Sequence, residues 1–164
     1  MSKWFEIAFI LFCICFILWL IRKQIKENLL QDDPKLRELR KLFEIVFYKD
    51  RKYTGKLSIL NDRDIMEEIS FYKGDKSYSI NKQKIFLCLR DEEGKYYNNN
   101  ILVYVTAHEI SHCINNKNIG HTEEFHEIFE EVLDLATKEG IYNPSIPIPE
   151  TYCTYNDKQS DDNY

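Results

Sequence analysis

The chain has 164 residues, of which 44% are hydrophobic, and carries a formal net charge of −5 at pH 7. This length provides for one modest domain with short appendages. The negative charge, with only short clusters of Lys and Arg, argues against a protein whose main affinity is for nucleic acid. The cysteines number five and show no C-x-x-C spacing. This pattern predicts neither a disulfide framework nor a zinc ribbon, but buried or free thiols in a reducing compartment.

The first predicted element is an apolar helix near the amino terminus. Ile7 to Ile21 contains no charged residue, and the stretch begins at Trp4 if Glu6 lies at an interface. As a helix, residues 4–21 rise about 27 Å, close to the ~30 Å hydrocarbon core of a bilayer. A cleaved signal peptide is the alternative, but residues 18–22 offer no small-residue cleavage site. The pattern favours an uncleaved, single-span membrane anchor.

Basic residues set the predicted orientation of this anchor. Arg22, Lys23 and Lys26 follow the span, whereas only Lys3 and the terminal amine precede it. The positive-inside tendency then places the remaining domain on the cytoplasmic side, or in the equivalent interior of an enveloped particle. The reduced thiols predicted above agree with this side.

The anchor is expected to continue as a juxtamembrane stalk through Gln31, so that residues 1–31 form one unit. Asp33 is a predicted N-cap and Pro34 the first residue of the next helix. That helix carries an apolar stripe at helical spacing from Leu36 to Phe47. It could lie along the membrane through its basic face, but packing on the domain is favoured.

A mixed α+β domain over residues 32–154 is predicted to follow. Residues 61–73 are ambiguous, with a short helix before a strand at 69–72. Other strands are predicted at Tyr53–Leu60, Ser77–Ile80 and Lys84–Leu89. Two helices come next, one capped within Asn98–Asn100 and the other running from Thr122 to Lys138. Prolines exclude helix from Asn143–Pro149, and residues 155–164 are predicted to be a disordered, acidic tail.

The helix after residue 100 carries an H-E-x-x-H motif, His108 to His112, behind the apolar run Ile101–Ala107. Histidines at i and i+4 lie on one helix face, where two imidazoles can reach one zinc ion at about 2.0–2.1 Å. Glu109 lies about 100° round the helix axis from His108. At this position its carboxylate can act as a general base without binding the metal. Cys113 points elsewhere on the helix and is set aside as a ligand.

A catalytic zinc ion takes three protein ligands and leaves one position for water. His121 is the predicted third ligand, because Gly120 and a polar loop before it can turn the chain back towards the metal. His126 is the alternative, although its helical neighbours are acidic and its position indicates a solvated face. Glu130 and Glu131 remain as possible carboxylate ligands.

The combination of H-E-x-x-H with Gly-His-x-x-x-Phe (Gly120, His121, Phe125) on a second amphipathic helix resembles the WLM and SprT-like zinc metallopeptidases. More narrowly, it is similar to the short, membrane-anchored WLM-like proteins of large DNA viruses. The resemblance covers Lys84–Tyr152 and is strongest over Val105–Ala136.

The resemblance implies that His108, His112 and His121 bind zinc and that Glu109 is the catalytic acid and base. It also implies a minimal zincin-like fold, whose edge strand holds an extended peptide beside the active-site helix. Lys84–Leu89 is the predicted edge strand. Relatives in this family act on proteins crosslinked to DNA. This sequence has no zinc ribbon and no basic DNA-binding segment, so the proteolytic chemistry carries over better than that substrate.

The sequence therefore predicts a membrane-anchored zinc endopeptidase that acts on a protein or peptide substrate and does not contact nucleic acid directly. Glu109 takes the proton of the attacking water. A second donor to the oxyanion is unassigned among Tyr142, Tyr152 and His126. One alternative is a non-catalytic, zinc-binding membrane or virion structural protein, and another is a scaffolding adaptor that works through Pro34–Phe47.

Overall fold

The computed structural model describes residues 3–115, 120–149 and 152. The fold is α+β, with an apolar amino-terminal helix, a small mixed sheet and two central helices. The helices are α1 (Lys3–Gln31), α2 (Pro34–Val46), a 3₁₀ helix (Gly55–Asp62), α3 (Ile65–Glu68), α4 (Asn99–Ile114) and α5 (Glu123–Lys138), and the strands are β1 (Ser70–Lys73), β2 (Tyr78–Ile80) and β3 (Lys84–Leu87).

Helix α1 is continuous from the apolar stretch into the stalk, as predicted. Within the described residues, Ile7–Gln31 is long and apolar enough to cross a membrane, by length and composition alone. Near its end, Glu27 accepts a hydrogen bond from Lys84 at 2.9 Å, and Leu30 is half-buried. The last turns of the stalk therefore lie against the sheet.

Helix α2 begins where its capping residues predict. The Asp33 carboxylate accepts the backbone N–H of Lys35 at 2.9 Å, and Pro34 occupies the first turn. The apolar stripe is buried in the core, including Phe43 at 0% exposure. This burial confirms that α2 packs on the domain through its apolar face.

The strand predicted at Tyr53–Leu60 is wrong, because this segment folds as a 3₁₀ helix. The Glu131 carboxylate of α5 accepts the backbone N–H groups of Lys56 and Leu57, each at 3.0 Å. These donors lie in the first turn of the helix, where they have no partner within the helix. Gly55 has φ +62°, and a Cβ there would lie 2.3 Å from the Glu131 Oε1. A carboxylate far away in the sequence thus caps this helix.

The sheet has the order β1-β3-β2, with β1 parallel and β2 antiparallel to β3. The prediction that Lys84–Leu89 is an edge strand is wrong, since β3 is central and ends at Leu87. Ile85 and Leu87 are 0% and 1% exposed. The unbroken apolar run in this segment is typical of a strand that is covered on both faces. The edge position beside α4 belongs to β2.

Helix α4 lies at the centre of the domain and packs on α5, β2 and β3. Of the three candidate N-caps, Asn98 is the one used, and its side chain accepts the N–H of Asn100 at 2.8 Å. Helix α5 begins at the Thr122 hydroxyl, which accepts the N–H of Phe125 at 3.3 Å.

The segment after α5 contains no helix from Asn143 to Pro149, as its prolines require, and it begins with a turn. The predicted acidic tail, residues 155–164, lies outside the described residues. The division into an anchor unit, a domain and a tail stays a prediction.

Candidate metal centre

Three histidines meet at one point between α4 and α5. The Nε2 of His108 lies 3.3 Å from that of His112 and 3.0 Å from that of His121. One ring nitrogen from each residue lies within 4.8 Å of the other two. Ligands about 2.05 Å from a tetrahedral ion lie about 3.3 Å apart. The spacing of these nitrogens therefore suits one small tetrahedral ion.

Local structure brings the three side chains together. His108 and His112 are one turn apart on α4, so their rings share a face. His121 lies just before α5, after Gly120, whose φ of +87° is in the left-handed region that glycine adopts without strain. The turn that returns the chain to the metal site therefore lies where the sequence predicts it.

The other predicted ligands do not join the cluster. His126 is exposed on α5, with its ring centroid 6.2 Å from that of His121. Glu130 is also exposed, and Glu131 accepts the two backbone N–H groups of the 3₁₀ helix. Cys113 is fully buried, and burial raises its pKa to about 12, which disfavours the thiolate that a metal would need.

An aromatic ring closes the base of the cluster. Phe125 of α5 is 0% exposed and stacks on His112 at a centroid distance of 4.2 Å. Its ring also lies 4.9 Å from those of His108 and His121. The sequence shows Phe125 as part of an apolar stripe and gives no sign that it touches all three histidines. Its contacts exclude water from one side of the site.

Burial keeps the imidazoles of His108 and His112 neutral. It lowers the pKa of His108 well below its usual value, and the neighbouring histidines lower it further. Burial, followed by the charges of His121 and Lys82, lowers the pKa of His112 to about 4. Neutral imidazole is the form that binds a metal, so these two rings need no deprotonation at pH 7.

Glu109 lies on the adjacent face of α4 and is only 4% exposed. Burial raises its pKa to about 8. In the metal-free protein this carboxyl therefore holds its proton near neutral pH. A divalent cation nearby would favour the charged form, because opposite charge offsets desolvation.

The three candidates for a second oxyanion donor occupy different places. The ring of Tyr142 packs 6.1 Å from that of Tyr104, and His126 is exposed. Tyr152 is buried, with its hydroxyl donating to the Cys88 carbonyl and 3.4 Å from Ser77 Oγ. Both tyrosines thus have packing roles, and the oxyanion donor stays unassigned.

The prediction of buried or free thiols in a reducing compartment is wrong for Cys88, which is disulfide-bonded. Cys13, Cys15 and Cys113 are free. Scattered positions in the sequence did not indicate this pairing, because a disulfide depends on distance in the fold and not on spacing along the chain.

Comparison with known proteins gives viral relatives. The chain is 42% identical to "Uncharacterized protein 136R" of Invertebrate iridescent virus 6 over 120 residues, which make up 71% of this chain and 67% of the relative. The chain belongs to the family of this 136R protein. A second relative of this chain, "Uncharacterized protein 042R" of Invertebrate iridescent virus 3, is 39% identical over 101 residues. The match covers 63% of that relative, less than two thirds of its length.

No family model matches the chain, and no solved structure matches it. The names of these two viral relatives state no activity.

Proposed function

We propose that this protein is a membrane-tethered zinc endopeptidase. The observation that carries the proposal is the convergence of three imidazole nitrogens, with His108 Nε2 3.3 Å from that of His112 and 3.0 Å from that of His121, beside Glu109. Imidazole is a borderline-soft ligand that suits zinc. Structural zinc sites use four protein ligands, whereas catalytic ones use three and keep a position open. Among the described residues, the cluster has three members.

The protein residues would divide the work as follows. His108, His112 and His121 would hold zinc, which when bound lowers the pKa of a coordinated water towards about 7 and polarises the substrate carbonyl. Glu109 would accept the proton of the attacking water and deliver it to the leaving amine nitrogen. Phe125 would keep the imidazoles in place and bulk water away from one side.

The substrate would bind as an extended peptide beside β2. This strand lies at the edge of the sheet and packs on α4. Its side chains Tyr78 and Ile80 are 37% and 40% exposed, so the strand lies at the protein surface. A peptide added to a sheet edge is held by main-chain hydrogen bonds and selected by side-chain pockets. The sequence suggests β3 as the strand that binds the substrate, but β3 is central in the sheet, so β2 is proposed instead.

Membership of the WLM and SprT-like metallopeptidases, with a zincin-like fold, is part of the proposal. Its support is that each residue of the Gly-His-x-x-x-Phe motif has a role at the site. Gly120 makes the turn, His121 joins the cluster and Phe125 packs against all three rings. The spacing of the Gly-His-x-x-x-Phe motif therefore places a turn, a ligand and a packing ring at one site.

We also propose that α1 anchors the domain in a membrane. The support is an apolar segment of sufficient length and the basic residues Arg22, Lys23 and Lys26 directly after its apolar part. These residues favour a domain on the cytoplasmic side or inside the virion.

A non-catalytic zinc-binding role is the second candidate, and one observation favours it. Glu109 is 4% exposed, whereas a working base must reach water and substrate. A structural virion or membrane protein would not need such access.

A peptidase assay on the full chain, loaded with zinc in detergent or nanodiscs, separates the two. With a labelled unfolded protein as substrate, Glu109→Gln should retain zinc and lose activity by at least about 10²-fold, the usual contribution of a general base. Glu130→Gln, an exposed carboxylate on α5, is the matched control and should keep full activity. Zinc-loaded wild-type protein without any peptidase activity would favour the structural role.

A further inference from the structure

The stalk of α1 is attached to the domain at two places. At its end, a connection of two residues, 32–33, leads directly into α2. Asp33 is 7% exposed, caps α2 and accepts a hydrogen bond from the Tyr96 hydroxyl at 2.9 Å. Before that end, Glu27 pairs with Lys84 of β3 at 2.9 Å, where α1 also packs on β1. Two attachments limit how far the domain can swing about the end of the helix.

The same attachments place the sheet close to the membrane that α1 is proposed to cross. The charge-free part of the helix ends at Ile21, and Glu27 follows six residues later. Because a helix rises 1.5 Å per residue, the Glu27–Lys84 pair lies only about 9 Å beyond the hydrocarbon core, and less if α1 tilts. One headgroup layer is about 5–8 Å thick. The start of β3 therefore lies near the outer limit of the headgroups.

Helix α4 is tied to this part of the domain by the end that carries the H-E-x-x-H motif. At the other end, the Asn99 side chain accepts a hydrogen bond from Lys35 of α2 at 3.0 Å. At the motif end, Lys82 in the turn between β2 and β3 donates to the carbonyl of Asn115, the C-cap of α4. Lys82 lies two residues before Lys84, which pairs with the stalk. The histidines are thus on the end of α4 that is connected to the membrane-proximal contact.

These contacts also limit the height of the metal site above the membrane. His112 lies three residues before Asn115 on α4, which corresponds to about 5 Å in a helix. The links from the stalk to His112 are two side-chain contacts and two short stretches of chain. Even if every link pointed away from the membrane, the site would lie within roughly 45 Å of the hydrocarbon core.

The sheet presents aromatic and apolar side chains on the face that meets the stalk. The rings of Tyr72, Phe86 and Tyr78 stack across the three strands at centroid distances of 5.0 and 4.8 Å, so they share one face. Lys84 lies over the Tyr72 ring on this face. Tyr72 is buried, whereas Tyr78 and Ile80 of β2 are exposed. Exposed tyrosine beside lysine is typical of a surface at the level of lipid headgroups.

We propose that the stalk holds the metal site at a fixed height and that its substrates are segments of membrane-anchored proteins within a few tens of ångströms of the bilayer. The proposal rests on the proposed peptidase function and on the proposed anchor. A substrate segment would extend along β2, and 45 Å corresponds to about 13 extended residues at most. Parts of an anchored protein beyond this distance are out of reach.

The first test measures cleavage against distance from the membrane. The full, zinc-loaded chain is reconstituted in phosphatidylcholine vesicles together with single-span substrates. Each substrate carries the same unfolded cleavage sequence behind a helical spacer, which rises about 1.5 Å per residue and sets distances of about 15, 30, 45 and 90 Å. Cleavage should be fastest at one of the three shorter distances and at least about tenfold slower at the longest, because sharing a membrane does not help when geometry forbids contact.

The second test uses a variant that frees the domain from its height without changing the site. A flexible Gly/Ser linker of about thirty residues between Lys23 and Gln24 keeps the Glu27–Lys84 pair and adds a root-mean-square reach of about 30 Å. This variant should cleave the substrate with the longest spacer several-fold faster than the wild type does. It should cleave a labelled unfolded protein in solution at the wild-type rate. The same linker before Lys3, on the other side of the apolar segment, is the matched control and should behave as the wild type.

The third test measures the height without any catalysis. The vesicles contain a phospholipid with a photoreactive headgroup, and labelled peptides are found by mass spectrometry after illumination. Residues 78–87, which form β2, β3 and their turn, should be labelled in the wild type. The labelling should fall several-fold in the variant with the linker after Lys23 and stay unchanged in the control with the linker before Lys3.

The outcomes separate the substrate class from the peptidase. Labelled residues 78–87 without cleavage of any substrate, soluble or anchored, would support the fixed height but contradict the proposed function and with it the substrate class. Wild-type protein that cleaves at the longest spacer as fast as at the shorter ones would overturn the proposal. Residues 78–87 without lipid label would also overturn it, whatever the activity.

Discussion

Replacing Glu109 with Gln should stabilise the metal-free protein, and the gain should grow with pH. The ordinary pKa of this carboxyl is 4.5, and burial raises it to about 8 in the folded protein. Between these values the unfolded chain releases a proton that the folded chain keeps. The stability contributed by the protonated form is therefore complete below pH 4.5 and is lost as pH rises towards 8.

The size of the effect follows from the pKa difference. A shift from 4.5 to about 8 corresponds to about 5 kcal/mol in total, as an order of magnitude, and to roughly 3 kcal/mol at pH 7. Glutamine does not ionise, so the variant lacks this loss. His108 and His112, whose lowered pKa values destabilise the fold as pH falls below 6.5, contribute equally to both proteins.

Urea unfolding of the metal-free chain between pH 5.5 and 8.5 measures this difference. The free energy of unfolding of Glu109→Gln minus that of the wild type should rise by several kcal/mol across the range. Glu130→Gln, with its exposed carboxylate, should follow the wild type. A difference that does not change with pH, or that falls as pH rises, would refute the assignment of Glu109 as a buried, isolated carboxyl.

Three other predictions test the packing, the imidazoles and the anchor. Phe125→Ala removes the ring that stacks on His112 at a centroid distance of 4.2 Å. It should lower the free energy of unfolding in urea by about 3–5 kcal/mol and weaken zinc binding, whereas Phe125→Leu should lower that free energy less. A wild-type zinc affinity in Phe125→Ala would contradict the packing role. On acid titration, zinc release followed with an indicator dye should begin well below pH 6.5, since the pKa of His112 is lowered to about 4; release centred near pH 6.5 would contradict the burial of these rings. Deleting residues 4–21 should leave the domain unable to float with lipid vesicles, and continued flotation would contradict the anchor.

The sequence predicts the elements whose causes are local. The cap at Asp33 with Pro34, the cap of α5 at Thr122 and the i, i+4 spacing of His108 and His112 each depend on neighbouring residues. The structure reproduces all three. The sequence also predicts that His121 joins the other two histidines, because Gly120 marks the turn that directs the chain towards them.

The remaining features depend on residues far apart in the chain. The 3₁₀ helix after Gly55 is capped by the carboxylate of Glu131, which lies more than seventy residues away in the chain. The central place of β3 depends on a parallel partner, β1. The disulfide at Cys88 depends on a distance that only the fold sets. Single-sequence patterns carry no information on such pairings.

The site itself divides in the same way. The motif predicts the histidines and Glu109. The contacts of Phe125 with all three rings come from packing of α5 on α4, and the burial of Glu109 comes from the packing of α4 within the domain. Burial lowers the pKa values of His108 and His112 and raises that of Glu109. The chemistry of the site therefore depends on tertiary packing as much as on the motif.

Metal analysis of the purified chain tests the central claim most directly. After growth with zinc and removal of loosely bound metal, the wild type and His126→Ala should each hold one zinc ion per chain. His108→Ala, His112→Ala and His121→Ala should each lose most of it, since each removes one of three ligands. A metal-free wild type, or a His121→Ala protein that binds zinc as tightly as His126→Ala, would contradict the account.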